Sequence, residues 1–176
     1  MTLIVPPAEI LVPAFIDVEA SSLGTRGYPI EVGLITSEGS MYCSLISPAA
    51  DWTRNDAIAW DEGAERVHGI TRPILATHGK PLRHVAGELN RIAAGLTLFS
   101  DAWGNDYPWL ARLFDAADLP MHFHLDSLRK LLDDNEAGRW ATVKTEVIAE
   151  LKLTRHRASS DAKILQRTLM RIKAVP

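Results

Sequence analysis

At 176 residues the chain is long enough to bury the core of a single domain, and 47% apolar with 23% charged residues is the balance of a soluble globular protein rather than a disordered or fibrous one. The one cysteine, Cys43, excludes an internal disulfide and a cysteine-built zinc site. The net charge of −3 speaks against a nucleic-acid partner only until its distribution is read. From Leu151 onward seven basic residues (Lys152, Arg155, Arg157, Lys163, Arg167, Arg171 and Lys173) stand against one acid, Asp161, so the acidic excess lies in the earlier part of the chain. Basic clustering of this kind points weakly to a phosphate-bearing partner, and a solvated helix face accounts for it equally well. No apolar run approaches the ~20 residues that a membrane-spanning helix needs. Met1 to Glu9, broken by Pro6, Pro7 and Glu9 and without a basic start, does not read as a signal peptide, so a cytoplasmic protein is expected.

In chain order, Ile10 to Ala20 predicts a first strand, secure from Ala14 onward because Pro13 interrupts its start. Ser21 to Gly27 is a turn, Tyr28 to Thr36 a second strand, Ser37 to Ser40 a hairpin turn, and Met41 to Ser47 a third strand closed by Pro48. Short connections make these three an antiparallel meander. Helical spacing then takes over: Asp61 to His68 ending at Gly69, and Leu82, Val85, Ala86, Leu89, Ile92, Ala93 and Leu96 after Pro81. Leu96 to Ser100 is a fourth strand, Pro108 to about Ala117 a helix, and Met121 to Leu125 a fifth strand followed by a short helix through Leu132. Val143, Val147, Ile148 and Leu151 mark another helix; Ile164, Leu165, Leu169 and Ile172 mark the last. One α/β domain, residues 1–176, with a mixed five-stranded sheet flanked by helices follows, strands one to three antiparallel and the rest parallel.

The chemistry starts in Phe15-Ile16-Asp17-Val18-Glu19. Residues two apart on a strand share a face, so Asp17 and Glu19 project together from what reads as a buried strand. Carboxylates so placed need a cation. Asp106, between the fourth strand and the next helix, and Asp161, at the opening of the last helix, are two more acids; each read alone would be a helix cap. Together the four form a hard oxygen donor set suited to Mg²⁺ or Mn²⁺. Two such ions ~3.5–4 Å apart serve in-line phosphodiester displacement. His156, five residues before Asp161, lies where it can act as a general base toward the attacking water.

Asp17-x-Glu19, then Asp106 before an apolar helix, then His156 with four residues before Asp161, resembles the DEDDh branch of the DnaQ-like 3′–5′ exonucleases, enzymes of the RNase H-like superfamily. Ile30-Glu31-Val32-Gly33 and Val67-His68-Gly69-Ile70-Thr71 are similar to segments of that family too, and the resemblance runs from about Ala14 to Ile172. It implies a metal-dependent 3′–5′ exonuclease that releases nucleoside 5′-monophosphates from single-stranded nucleic acid. Asp17 would bridge two Mg²⁺ or Mn²⁺ ions, Glu19 and Asp161 would complete one, Asp106 would hold the other, and His156 would activate water. Backbone groups of Ala20, Ser21, Ser22 and Leu23 would contact the 3′-terminal nucleotide, with Leu23 packing on its base or sugar and His68 and Ile70 beside it. Where many members carry Thr-Thr this chain has Ala20-Ser21, and where they carry His-Asn it has Asp101-Ala102, which makes Asp101 a rival to Asp106. The same resemblance favours RNA over DNA for a compact chain of this kind, with a DNA-directed proofreading or repair exonuclease, or a catalytically idle nucleic-acid-binding relative, as the alternatives; a homodimer is compatible with it.

Four further features carry less. His122 and His124 would share a strand face without a third ligand. Among the tryptophans, Trp103 beside Asp106 is the expected base-stacking residue, whereas Trp109 is expected in the core; Trp52 and Trp60 are weaker stacking candidates. Cys43 is expected to pack mid-strand.

Overall fold

The computed structural model describes residues 12–24, 26–54 and 59–174; the expected strand start at Ile10 and Leu11, the turn residue Thr25, and the chain's first nine residues lie outside these. Five strands form one sheet in the order β3-β2-β1-β4-β5, with β1 Ala14–Ala20, β2 Pro29–Ile35, β3 Met41–Leu45, β4 Thr97–Ser100 and β5 His124–Ser127. β1, β2 and β3 are antiparallel neighbours, whereas β4 runs parallel to β1 and β5 parallel to β4. The mixed sheet expected from the sequence is therefore the one observed.

The alternation along β1 decides everything that follows. Ala14, Ile16, Val18 and Ala20 face one core together with Val32 and Leu34 of β2. That core is closed by α4 (Leu82–Ala93), through Val85 and Leu89, and by α5 (Trp103–Ala116), through Leu110 and Leu113. Phe15 and Ile35 face the opposite side, where α6 (Asp134–Leu151) and α7 (Ala158–Lys173) cover them with Trp140, Val143, Leu165 and Leu169. Asp17 and Glu19 have the parity of Phe15, so they point to the α7 side beyond the reach of its apolar stripe. A third apolar cluster of Tyr28, Ile30, Trp52, Trp60 and Leu75 sits under the short helices α1 (Ala50–Thr53), α2 (Glu62–His68) and α3 (Arg72–His78).

Four elements differ from the sequence reading. Helix α5 starts at Trp103, five residues before the expected Pro108, because Asn105 and Asp106 donate to the Ala102 carbonyl at 2.8 and 3.0 Å and the Trp103 indole N–H donates to Leu125 O at 3.1 Å. Pro108 is tolerated inside the helix at the loss of one backbone bond. The fifth strand is shifted to His124–Ser127: the preceding residues are tied instead to the Asn90 side chain (His122 N to Oδ1, 2.8 Å) and to Gly95 N, leaving the ladder to begin at His124. Helices α1 and α3 were not expected, although Thr71 caps α3 by accepting from Ile74 N at 3.4 Å, with Pro73 in its first turn.

Candidate active site

The last helix is held over the sheet by two residues of the Ile30-Glu31-Val32-Gly33 segment. Glu31 is fully buried; it accepts from the Arg157 guanidinium at 2.6 and 3.1 Å and from the first backbone N–H of α7, Ala158 N, at 2.8 Å. A carboxylate at a helix N-terminus satisfies a free donor and meets the positive end of the dipole. Gly33, directly opposite Asp17 in the β1–β2 register, leaves room for the same turn: a Cβ there would collide with the backbone of Ala158 and Ser159. Glycine is required here by close approach.

His156 precedes the helix with φ of 57°, the left-handed region, and its N–H donates to Asp161 Oδ2 at 3.0 Å. Asp161 is the fourth residue of α7 and turns back onto that loop, so it is not the helix cap. Ligand atoms of Glu19, His156 and Asp161 lie within 4.8 Å of one another. Asp106 enters from the other side, in the first turn of α5 and almost wholly buried; it accepts a hydrogen bond from the Ser100 hydroxyl, which itself accepts from Ala102 N at 3.0 Å. The five residues expected to do the chemistry thus line one cleft of about 390 Å³ at the end of β1.

The charges in this cleft oppose each other. Burial, reinforced by Asp106, Glu19 and Asp161, holds the Asp17 carboxyl well above the usual range. Burial, then the Asp161 and Glu31 charges, pushes Glu19 up to about 7 against the pull of Arg157 and Arg155. Asp106 is likewise raised to about 7, chiefly by burial, although the Ser100 hydrogen bond works the other way. Asp161 Oδ1 is buried without a hydrogen-bond partner, its nearest cation being Arg155 Nε at 3.0 Å. Crowded oxygen donors with one orphaned atom fit a hard divalent cation.

The other expected contacts divide. Leu23 is 77% exposed and lines the cleft with Ala20 and His68. His68 is buried, its Nδ1 accepts from Ile70 N at 3.0 Å, and burial lowers its pKa. Ile70 itself is in the third core and does not reach the cleft. Ser21 is fully buried: its hydroxyl donates to Ala59 O at 2.6 Å and accepts from Tyr28 N at 3.0 Å, while its backbone bonds Tyr28 O and Asp61 N. Ser21 therefore builds the loop, and Ser22 beside it is also buried. Trp103 is 43% exposed and stacks on the exposed Tyr107 at 5.8 Å, next to cleft residues Ala102 and Asn105. Trp109, Trp52 and Trp60 are core.

Asp101, the expected rival to Asp106, lines the same cleft and pairs with Lys144 of α6 at 2.6 Å. Much of the basic tail is spent on structure: Arg157 on Glu31, Arg171 on Glu150, and Lys173 on Glu136 at 2.7 Å. His122 and His124 are both exposed, and Cys43 is exposed on edge strand β3 rather than packed. Sequence reasoning missed the structural roles of Glu31 and Arg157, which the acid at Glu31 within an apolar strand signals, and it gave Lys144 no role at all.

A mixed five-stranded sheet of this order, flanked by helices, is the RNase H-like fold. Among solved structures it is similar to that of exonuclease I. The chain aligns with E. coli exonuclease I in complex with a 5cy-dA13 oligonucleotide at a TM-score of 0.62 and 13% identity, covering 90% of this chain and 40% of that one. It aligns with the zinc-bound E. coli exonuclease I–ssDNA complex at 0.63 and 15%, covering 92% and 39%. With the moderately thermophilic exonuclease I from Methylocaldum szegediense the values are 0.54 and 13%, covering 72% and 29%. The chain spans about two fifths or less of the length of these proteins. No family model matches it, and no curated protein matches it in sequence.

Proposed function

We propose that the protein is a divalent-metal-dependent 3′–5′ exonuclease that removes nucleoside 5′-monophosphates from single-stranded nucleic acid. The observation that carries this reading is the convergence of Asp17, Glu19, Asp106, His156 and Asp161, from three separate elements and one loop, on one cleft. Glu19, Asp161 and Asp17 would hold one ion, and Asp17 with Asp106 a second. Such ions, when bound, neutralise the attacking and leaving oxygens of an in-line displacement. The chain's own residues supply the rest. His156, beside Glu19 and Asp161, accepts the proton of the attacking water; the new P–O bond forms as the bond to the 3′ oxygen of the penultimate nucleotide breaks, and that oxygen takes up a proton. Leu23 offers an exposed apolar surface to the terminal nucleoside at the mouth of the cleft, and Trp103 a ring for a base upstream.

RNA is the strand expected from the sequence resemblance. DNA is the second reading, supported by the DNA oligonucleotides carried by the exonuclease I structures. Matched labelled DNA and RNA single strands of several lengths, with Mg²⁺ or Mn²⁺ and an EDTA control, test both. The expected result is metal-dependent shortening from the 3′ end with 5′-monophosphate products. Shortening from the 5′ end, or wild-type turnover by Asp17→Ala protein, would overturn the assignment.

A further inference from the structure

An acidic cleft is a poor host for an anionic strand, so its few cations matter. Six carboxylates line it: Asp17, Glu19, Asp61, Asp101, Asp106 and Asp161. Two cations face them, Arg155 and Lys144. Arg155 lies against the orphaned oxygen of Asp161, at the centre of the carboxylate set. Lys144 is different. It reaches the cleft from α6, its single ion-pair partner among the described residues is Asp101, and both members of that pair are partly open to solvent, with side chains 23% and 30% exposed. A partly solvated pair of this kind is weak and readily exchanged. The lip of residues 101–107, which holds Asp101, also carries the exposed Trp103–Tyr107 stack.

We propose that Lys144 binds a backbone phosphate of the single strand upstream of its terminal nucleotide, releasing Asp101 to do so, on the lip where Trp103 and Tyr107 offer their rings to the bases. This rests on the single-strand reading above. The lysine then serves strand binding rather than bond cleavage: an ammonium is a point charge with three donors, suited to a phosphate oxygen and indifferent to the base.

The test is equilibrium binding of 5′-fluorescein-labelled dT and rU oligonucleotides, roughly twelve nucleotides long, followed by anisotropy across a salt series with Ca²⁺ present. Each neutralised phosphate of a single strand contributes about 0.7 to the slope of log affinity against log salt. Lys144→Met should weaken binding about fivefold and make the slope shallower by about 0.7, with Lys144→Arg close to wild type. Asp101→Asn should tighten binding. A Lys144→Met protein with the wild-type slope, shown to be folded by circular dichroism, would overturn the proposal while leaving the exonuclease reading standing. A wild-type protein that binds neither strand would overturn both.

Discussion

Glu19 and Glu31 are direct partners across the β1–β2 pair, and they perform opposite tasks. Glu31 is sealed away with Arg157 and the first N–H of α7, whereas Glu19 opens into the cleft beside His156 and Asp161. One acid fixes the helix that supplies the other's companions. The spacing of the site is thus set through an ion pair, buried only on its Glu31 side, that lies outside the cleft.

That relationship can be broken from either strand neighbour. Glu31→Gln leaves Arg157 uncompensated and removes a charged acceptor from the helix start; a cost of about 1–3 kcal/mol is expected, below the full buried-pair value because Arg157 is 42% exposed. Gly33→Ala drives a methyl into the α7 backbone, with a cost of about 1–3 kcal/mol. Urea denaturation should record both losses, and turnover should fall more than stability because His156 and Asp161 move with the helix. Unchanged turnover in folded Glu31→Gln protein would show that the pair does not set the site.

Asp17 is a liability without its cation. Its carboxyl is pushed up by burial and four acidic neighbours, so Asp17→Asn should abolish cleavage while raising the melting temperature in EDTA. Relief of about 1 kcal/mol corresponds to ~2–4 °C for a chain of this size. Calorimetric scans of the two metal-free proteins check this, and a lower melting temperature for the variant would contradict it.

Glu19 and Asp106 couple this balance to pH. Both have folded pKa values of about 7, above their unfolded values, so the native state holds protons that the unfolded chain has released. The stability they contribute is fully present below about pH 4 and is lost as pH rises through 7. A divalent cation competes with those protons, so the stabilisation produced by Mn²⁺ should be greater at pH 8 than at pH 6. Thermal melts with and without Mn²⁺ at both values provide the measurement; an equal gain at the two would count against ions held by these acids.

The two tryptophans of α5 should separate binding from folding. Trp103→Ala should weaken single-strand binding by about 1–3 kcal/mol per stacked base, at a smaller stability cost of about 0.5–1.5 kcal/mol from the lost indole bond to Leu125 O. Trp109→Ala, which empties a core position, should cost about 3–5 kcal/mol of stability. Anisotropy and urea titrations on the pair would reveal any reversal of these roles.

The first three strands, their antiparallel order and the shared face of Asp17 and Glu19 were legible because period-two alternation and short turns are local signals. The acids at 106 and 161 were legible as residues but not as geometry: Pro108 looked like a helix start, which hid the turn that buries Asp106. Glu31 and Arg157 lie 126 positions apart, and nothing local announces that such a pair will meet. Ser21 was expected beside the terminal nucleotide from the resemblance alone; that its hydroxyl is committed to Ala59 and Tyr28 is something only the folded loop can show.

The position of α7 in the chain has a temporal consequence. Asp17, Glu19 and Asp106 leave the ribosome well before His156 and Asp161, and the late helix must dock on Glu31 and Gly33, more than a hundred residues upstream, before the five can face one another. A growing polypeptide therefore holds these five residues apart until α7 has emerged and docked.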